Sequence, residues 1–519
     1  MSIIEKTRQF LKDNKIDYLL VNSTNEFLVE YPELSENARY HLTNFSGSTG
    51  DALISQKDIF LFVDGRYHEQ ADREVDKKLI KVVKMEIGAS FSAALAEKLA
   101  PNKTFAIVSK KLSQGCLEIL QTALKKKNIT IKLLDFDPVL KEKGKGEKGK
   151  ECSNIDIKIT GLSSEEKIEK IKAKLKKGEA ILVTNLEEIS YLLNIRDFSQ
   201  NYSSTVKQEP VLISKSAEIK TVYIDKISVT AYDYANLGEK AKPLTKNFIK
   251  EMKSVKTKEE IAHYKKCFER TDKALMATRN FIEKNDNLSE FDIAKNLEEN
   301  FYKFGAKSLS FKSIIAKDKN SALAHYSQNS KSEILENGSL ILIDCGAYYE
   351  GGYATDMTRV FVKETPSKLH KKVYTIVLKG FLAAFNQKIT EKTSGFSLDK
   401  TARKILTELA PEGFEFSHSL GHGIGISVHE SPPSLSPSVL AKTPLIPNMC
   451  FTIEPGLYSS KHFGVRLENS CYLGKGKRGK GKGEFIIKSF SNMCFEKKLI
   501  DFDMLSAKEK KQLKNFEVK

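Results

Sequence analysis

The sequence predicts two α/β domains followed by an α+β domain, and three observations support this prediction. Residues 1–140 alternate strand-like and helix-like runs, and the same alternation returns over residues 155–248. Over residues 249–519, hairpin-like strands alternate with helices, which favours an α+β arrangement. Residues 141–154 are rich in lysine and glycine and cannot bury apolar surface, so they predict a linker between the first two domains.

The elements of the first domain follow from its hydrophobic pattern. The N-terminal stretch breaks its apolar residues with charges every few positions, which predicts an amphipathic helix rather than a signal peptide. Two further helices are predicted at "SAALAEKLA" and "CLEILQTALKKK". The predicted strands are "DYLLVNS", "DALISQKDIFLFVDGRY" and "KTFAIVSK".

The later elements are predicted from caps and apolar runs. In the second domain, Ser163 or Ser164 is expected to cap a helix, and strands follow at "AILVT", "PVLIS" and "KTVYI". In the third, Thr257 followed by Glu260 is a capping-box signal for a helix. Residues 474–483 interrupt a strand-like region and predict a Lys/Gly-rich loop insertion. The terminal "SAKEKKQLKNFEVK" predicts a short polar helix.

Composition narrows the class of protein. No run approaches the roughly 18 apolar residues of a membrane span. The formal net charge of +17 would suit a nucleic-acid surface, but no basic-aromatic module accompanies it, and solvated lysine faces explain it better. The seven cysteines never form C-x-x-C, which predicts free thiols in a reducing cytoplasm. We therefore expect a cytoplasmic protein without membrane or nucleic-acid partners.

The glycine-rich segment "SLGHGIGISVHES", residues 419–431, completes neither a dinucleotide fingerprint nor a P-loop. His418 and His422 have the spacing of H-x-x-x-H, but Ser419 stands where helical zinc sites have glutamate, and the glycines oppose a helix. One histidine is therefore expected to ligate a metal while the others act around it. Small residues around His422 would let the backbone approach the metal closely.

Four carboxylates lie on strands that otherwise have a core-like pattern. One apolar strand runs into Asp344, and after a Glu-Gly-Gly turn Asp356 precedes a second strand, which predicts a hairpin with these acids roughly opposite each other. Glu454 ends a later apolar strand, and Glu468 is expected within the next one. Buried like charges are costly unless neutralised. Two divalent cations would balance four carboxylates, and a set of oxygens with one imidazole suits manganese, cobalt or zinc.

These residues, in this order, resemble those of the pita-bread metallopeptidases, which include methionine aminopeptidase, prolidase and aminopeptidase P. The resemblance is carried by "TDMTR", "GHGIG", "IEPGLY" and "VRLEN", and "LAHYSQN" and "VHES" narrow it to the proline-specific branch. "YHLTNFSGSTG", "LFVDGRY" and "LEEISYLLNIR" are similar to the front of the three-domain aminopeptidases P. The resemblance implies two creatinase-like α/β domains before a pita-bread catalytic domain with a C-terminal tail.

The implied activity is that of a Xaa-Pro metalloaminopeptidase. Such an enzyme hydrolyses the bond between an N-terminal residue and a following proline, using a hydroxide that bridges two metals. The resemblance implies two divalent ions, Mn2+ first with Zn2+ or Co2+ as alternatives, and a homodimer. The implied metal ligands are Asp344 on one metal, His422 and Glu454 on the other, and Asp356 and Glu468 bridging both.

The resemblance also assigns roles around the metals. Glu454 is implied as the proton shuttle to the leaving nitrogen. His325 and His429 would position the substrate and stabilise the oxyanion, and His418 would help to hold its imino-acid end. Arg466 would orient a bridging carboxylate.

Two alternatives stay open at this point. A prolidase would run the same chemistry on dipeptides only, but prolidases typically lack the second domain that this sequence predicts. A non-catalytic scaffold for peptides or nucleic acid would use the +17 charge. The presence of all five implied ligands favours an enzyme, because binding proteins of this fold generally lose ligands.

Overall fold

The computed structural model describes residues 1–86, 88–140, 152–476 and 485–516. The chain divides into two compact units, of which unit 1 comprises residues 1–150, 164–193 and 206–249, and unit 2 comprises residues 151–163, 194–205 and 250–519. The predicted linker and the predicted 474–483 insertion lie largely outside the described residues, and the three predicted domain boundaries stay a prediction. Among the described residues, no helix combines the length and apolar character needed to cross a membrane.

The first part of unit 1 is a mixed sheet with helices on both faces. Its strands are β1 Tyr18–Val21, β2 Asp51–Ser55, β3 Ile59–Val63, β4 Ile80–Lys84, β5 Thr104–Val108 and β6 Thr130–Leu134, in the order β4-β3-β2-β1-β5-β6. Its α-helices are α1 Ile3–Asp13, α2 Ala38–Thr43, α3 His68–Glu74, α4 Phe91–Lys98 and α5 Gln114–Leu124. Apolar residues of β1 alternate between two core clusters, so both faces of the sheet are buried. Every predicted strand and helix of this region is present.

The next part of the chain contributes to both units. Its strands are β7 Cys152–Asn154, β8 Glu179–Val183, β9 Ile195–Asp197, β10 Val211–Ser214, β11 Thr221–Ile224 and β12 Ala241–Pro243. Its α-helices are α6 Ile157–Thr160, α7 Ser164–Lys172, α8 Leu186–Leu193, α9 Ala231–Leu237 and α10 Phe248–Ser254. Within unit 1 the strands form a sheet of order β10-β8-β11-β12, and within unit 2 β7 pairs with β9.

The rest of unit 2 combines long helices with small antiparallel sheets. Its α-helices are α11 Lys258–Lys284, α12 Glu290–Lys303, α13 Lys368–Phe385, α14 Gly395–Leu409 and α15 Ala507–Leu513. Its strands are β13 Ser308–Leu309, β14 Ile314–Lys317, β15 Leu340–Cys345, β16 Ala347–Tyr348, β17 Met357–Val362, β18 Gly421–His422, β19 Ser434–Leu435, β20 Cys450–Ile453, β21 Gly456–Tyr458, β22 Gly464–Arg466, β23 Asn469–Lys475 and β24 Phe485–Ser489. The Thr257–Glu260 capping box at the start of α11 and the short C-terminal helix are both confirmed.

The pleat of β15 decides on which side of its sheet the acids lie. Leu340 and Leu342 belong to the core cluster that contains α13 and α14, whereas Ile341 and Ile343 belong to the cluster that contains α11 and α12. Successive side chains of a strand point to opposite faces. Asp344 therefore shares the face of Leu340 and Leu342, at the end of the strand.

The predicted pairing of the first two acids is wrong by two residues. Asp344 lies opposite Thr358 rather than Asp356 in the antiparallel pair β15–β17. The segment that connects β15 to β17 is not a tight hairpin turn. Within it, β16 pairs with β13, and Tyr348 forms an isolated β-bridge with Ala354. Residues two positions apart on a strand point to the same face of the sheet. Asp356 therefore lies on the same face as Thr358, which is the face that was predicted for it. Glu468 also differs from expectation, since it lies between β22 and β23 rather than within a strand.

Candidate metal centre

Ends of paired strands bring the predicted ligands together in unit 2. Ligand atoms of Asp356, His422 and Glu468 all lie within 4.8 Å of one another. His422 Nε2 is 3.4 Å from Asp356 Oδ2 and 3.5 Å from Glu454 Oε1. Asp344 acts electrostatically on Asp356, Glu454 and Glu468, so it belongs to the same cluster.

The cluster concentrates negative charge in a buried place. Burial raises the pKa of Asp356 and of Glu468 well above the ordinary value, and neighbouring carboxylates raise both further. Burial also raises the pKa of Glu454 to about 7, with His422 and Arg466 opposing the rise and Asp356 adding to it. A cation would offset the charge of acids that destabilise one another's charged forms, so this group is a favourable place for a metal.

Individual atoms of the cluster fit a cation. In the described part of the chain, the buried Oδ1 of Asp344 and Oε1 of Glu468 have no hydrogen-bond partner. His422 Nδ1 lies 3.0 Å from the Gly423 carbonyl, which can only accept, so Nδ1 carries a proton. In the neutral form of the ring, Nε2 is then the nitrogen that can bind a metal. Oxygens and one imidazole form a donor set suited to manganese, cobalt or zinc. The residues present therefore fit the predicted metals.

The glycine-rich turn is packed too closely to accept side chains. A Cβ at Gly421 would lie 2.1 Å from the Thr452 carbonyl oxygen, and one at Gly425 would lie 1.9 Å from the Glu430 carboxylate. The glycines thus let this turn approach β20 and Glu430. Ser204 supports the same turn, because its Oγ donates to the carbonyls of Gly352 at 2.7 Å and Ile426 at 3.0 Å.

Glu430 fixes the turn through a buried ion cluster. Its carboxylate accepts from Ile426 N at 2.8 Å and pairs with Lys253 Nζ at 3.0 Å and Lys256 Nζ at 2.5 Å. Burial by itself raises the pKa of Glu430, but the two lysines outweigh it and lower the pKa to about 2. The carboxylate therefore stays charged and holds the segment between His422 and His429.

A chain of hydrogen bonds joins His418 to Asp344. Tyr458 OH is 2.8 Å from His418 Nε2, and Arg466 Nη1 donates to the same hydroxyl at 2.7 Å. Arg466 Nη2 donates to Asp344 Oδ2 at 2.6 Å. The resemblance implied that Arg466 orients a bridging carboxylate, but the carboxylate that Arg466 contacts directly is that of Asp344.

Thr358 extends this chain to Glu468. Arg466 Nε donates to Thr358 Oγ1 at 3.1 Å, and Thr358 Oγ1 donates to Glu468 Oε2 at 2.8 Å. Arg466 thus reaches the predicted bridging carboxylate through one hydroxyl. Neither Tyr458 nor Thr358 was predicted from the sequence, although Thr358 lies two positions from Asp356 and Tyr458 four positions from Glu454.

The other three predicted histidines are held by different parts of unit 2. The His429 ring packs edge-on against His422, with centroids 4.4 Å apart. His418 is held by α14, because Arg403 Nη2 donates to its carbonyl at 2.7 Å. His325 is half-buried and follows Ser321, whose Oγ bonds Gly464 of β22. The bond between Ser321 and Gly464 places the segment that contains His325 beside β22, the strand that contains Arg466.

Comparisons with known proteins agree with this architecture. Residues 262–475 match metallopeptidase family M24, and residues 3–142 and 146–299 match the creatinase/prolidase N-terminal domain. The C-terminal part of the chain is therefore similar to metallopeptidase family M24. The predicted fold class is confirmed: creatinase-like domains precede a pita-bread metallopeptidase domain.

Relatives resemble the chain over nearly its whole length. A probable Xaa-Pro aminopeptidase P of Laccaria bicolor is 27% identical over 573 residues, covering 99% of this chain and 88% of the relative. The Xaa-Pro aminopeptidase 1 of Dictyostelium discoideum is 29% identical over 577 residues, covering 98% and 90%. The X-prolyl aminopeptidase of Caenorhabditis elegans, described as a cytosolic enzyme with a di-nuclear active site, shares the fold with a TM-score of 0.87 at 21% identity, covering 99% and 95%.

Proposed function

We propose that the chain is a dinuclear-metal aminopeptidase that hydrolyses the peptide bond between an N-terminal residue and a following proline. The observation that carries this proposal is the convergence of Asp356, Glu454 and Glu468 on His422, with Asp344 acting electrostatically on all three acids. Two buried carboxylate oxygens of this group have no protein partner in the described residues. The names of the L. bicolor and D. discoideum relatives support the choice of substrate.

The proposed ligand set is the one predicted from sequence. Asp344 would hold one ion, His422 and Glu454 the other, and Asp356 and Glu468 would bridge them. When bound, the two cations would polarise the scissile carbonyl and lower the pKa of a shared water, the predicted bridging hydroxide. Oxygen-rich ligation favours Mn2+, with Zn2+ and Co2+ as the alternatives.

The protein's own groups would orient the substrate and move its proton. Glu454 would deliver a proton to the leaving nitrogen, since its carboxylate borders the cluster and is partly exposed. His325 and His429 would position the peptide and stabilise the oxyanion. Tyr458 would fix the His418 ring at the imino-acid end of the substrate. An X-Pro bond has a tertiary amide nitrogen without an N–H, so the site must recognise this bond by shape and position.

Assembly and location are proposed from the resemblance. We propose a homodimer in the cytoplasm, and the description of the C. elegans enzyme as cytosolic supports the second point. Light scattering of the purified protein would measure its molecular mass and so test whether it is a dimer.

One assay separates the candidate functions. Protein loaded with Mn2+, Zn2+ or Co2+ is incubated with a Xaa-Pro-Xaa tripeptide and with a Xaa-Pro dipeptide. Release of the first residue from the tripeptide supports the proposal, and cleavage of the dipeptide alone would indicate a prolidase. Cleavage of neither peptide with any of the three metals would favour a non-catalytic protein.

A further inference from the structure

We propose that Glu290 is a positioning residue that holds the His325 segment, residues 317–330, in its working conformation. Glu290 is the first residue of α12, and its side chain is fully buried. It is not a metal ligand in the proposed site, and no motif in the sequence singled it out. The consequence for catalysis rests on the proposed function, whereas the anchoring itself does not.

Four donors from the segment converge on this one carboxylate. Oε1 accepts from Lys317 N at 2.7 Å and from Asn320 Nδ2 at 2.9 Å. Oε2 accepts from Tyr326 OH at 2.6 Å and from Ser330 N at 2.7 Å. The bonds flank His325 on both sides, and one of them comes from its immediate neighbour. Hydrogen bonds to a charged, buried acceptor are stronger than neutral ones, so Glu290 fixes the segment firmly.

The far side of the segment is tied to the strands of the metal centre. Ser321 Oγ donates to the Gly464 carbonyl at 2.9 Å and accepts from Gly464 N at 2.8 Å. Asp318 Oδ1 accepts from Leu340 N at 2.7 Å, at the start of β15, the strand that carries Asp344. The segment is thus clamped between Glu290 on one side and β22 and β15 on the other. A loss of the Glu290 contacts would let His325 move relative to the strands.

The substitution Glu290→Gln disturbs this clamp with little change of volume. A carboxylate accepts at both oxygens, whereas the amide of glutamine accepts at one end and donates at the other. The Tyr326 hydroxyl can rotate to accept, but the backbone N–H groups of Lys317 and Ser330 can only donate. Whichever way the amide turns, one backbone donor faces an N–H. Glu299→Gln is the matched control, since it makes the same change at an exposed position of the same helix.

We expect Glu290→Gln to lower kcat about 10- to 100-fold on the Xaa-Pro-Xaa tripeptide, because small displacements of positioned groups cost rate on this scale. KM should stay within about threefold, and metal content should not change. Tyr326→Phe removes one of the four bonds and keeps the carboxylate, so it should fold and show a smaller loss of the same kind. Glu299→Gln should match the wild type.

Two further measurements separate positioning from general damage. In a His325→Ala background, Glu290→Gln should change kcat less than about twofold, because both substitutions act through the same side chain. Hydrogen–deuterium exchange of the metal-free protein should rise over residues 313–332 in Glu290→Gln and not in Glu299→Gln. An additive loss in the double variant, loss of metal with activity, or unchanged exchange would overturn the proposal. If the wild type cleaves neither peptide, the proposed function fails, and the exchange experiment still decides the anchoring.

Discussion

Arg466 and Asp344 form a buried pair, with Nη2 and Oδ2 2.6 Å apart, on strands that are distant in sequence. Burial acts against the charged form of Arg466, but Tyr458 and Asp344 outweigh it and hold its pKa well above the ordinary value. One guanidinium thereby bonds Asp344, Tyr458 and Thr358 at once. This arrangement connects a predicted metal ligand to a predicted substrate-binding histidine.

Arg466→Lys should damage the site although it keeps the charge. A lysine ammonium is a point donor on a flexible stem and cannot reproduce the planar fork of arginine. It can pair with Asp344, but it cannot at the same time reach Tyr458 and Thr358. We expect activity on the tripeptide to fall at least about tenfold and metal affinity to fall by about 10- to 100-fold, measured by steady-state kinetics and metal titration. If Arg466→Lys kept the activity and the metal affinity of the wild type, the contact with Asp344 alone would be sufficient for the function of Arg466.

Tyr458→Phe should lower activity without removing metal. The phenyl ring fills the same space, but His418 Nε2 and Arg466 Nη1 lose a partner. A buried polar group left unpaired costs about 1–3 kcal/mol, which corresponds to a loss of about 5- to 150-fold in kcat/KM. Elemental analysis should still find the wild-type metal content. Tyr302→Phe, at a residue that is 48% exposed, is the control. Metal loss in Tyr458→Phe would contradict the assignment to substrate binding.

Asp356→Asn should separate metal binding from folding. Burial and the neighbouring Asp344 raise the pKa of Asp356, so its charged form at pH 7 is unfavourable in the metal-free protein. The neutral amide relieves that repulsion, and the metal-free variant should melt at or above the wild-type temperature. Added Mn2+ should raise the melting temperature of the wild type only, and activity should fall at least about 100-fold. Normal turnover in this variant would refute the bridging role of Asp356, as it would in Asp356→Ala.

Glu430→Gln should change the pH dependence of stability. The pKa of Glu430 is lowered from 4.5 to about 2 in the folded protein, which corresponds to about 3 kcal/mol. For a lowered acid pKa, this stabilisation is present above pH 4.5 and is lost as the pH falls toward 2. Urea unfolding in chelator should therefore show the variant about 3 kcal/mol less stable than the wild type at pH 7, with a smaller difference at pH 3.

Two controls sharpen this experiment. Glu299→Gln should follow the wild type at every pH, because its side chain is exposed. Adding Lys256→Met to Glu430→Gln should recover part of the lost stability, because Lys256 is buried beside Glu430 and would otherwise keep an uncompensated charge. A stability difference that stays constant from pH 7 to pH 3 would exclude the ion cluster as its origin.

Much of the architecture follows from local patterns. Apolar runs locate β1, β8 and β15, and the Thr257–Glu260 pair marks the start of α11, because strand periodicity and helix caps are encoded within a few residues. The register of Asp344 against Thr358 does not follow in this way. It depends on β16 pairing with β13, a contact that the hairpin sequence itself does not contain.

The supporting residues of the site were beyond prediction for the same reason. Glu430 meets Lys253 across 177 positions of sequence, and Glu290 meets Ser330 across 40. Each is an ordinary charged or polar residue in an ordinary local pattern. Ligands such as His422 stand out because metal chemistry restricts both their type and their neighbours. A carboxylate that holds a loop carries no such local signature, and only the fold brings its partners to it.

The bonds of Ser204 affect how this protein can be divided. Residues 194–205 precede residue 250 by a long stretch of chain, yet they belong to unit 2 and carry a donor to Ile426 in the His422 turn. A truncated polypeptide that starts at residue 250 would lose that donor, and its Gly352 and Ile426 carbonyls would be stripped of a partner. Dissection by simple N-terminal deletion therefore yields a damaged catalytic unit, and an autonomous version has to retain residues 151–163 and 194–205.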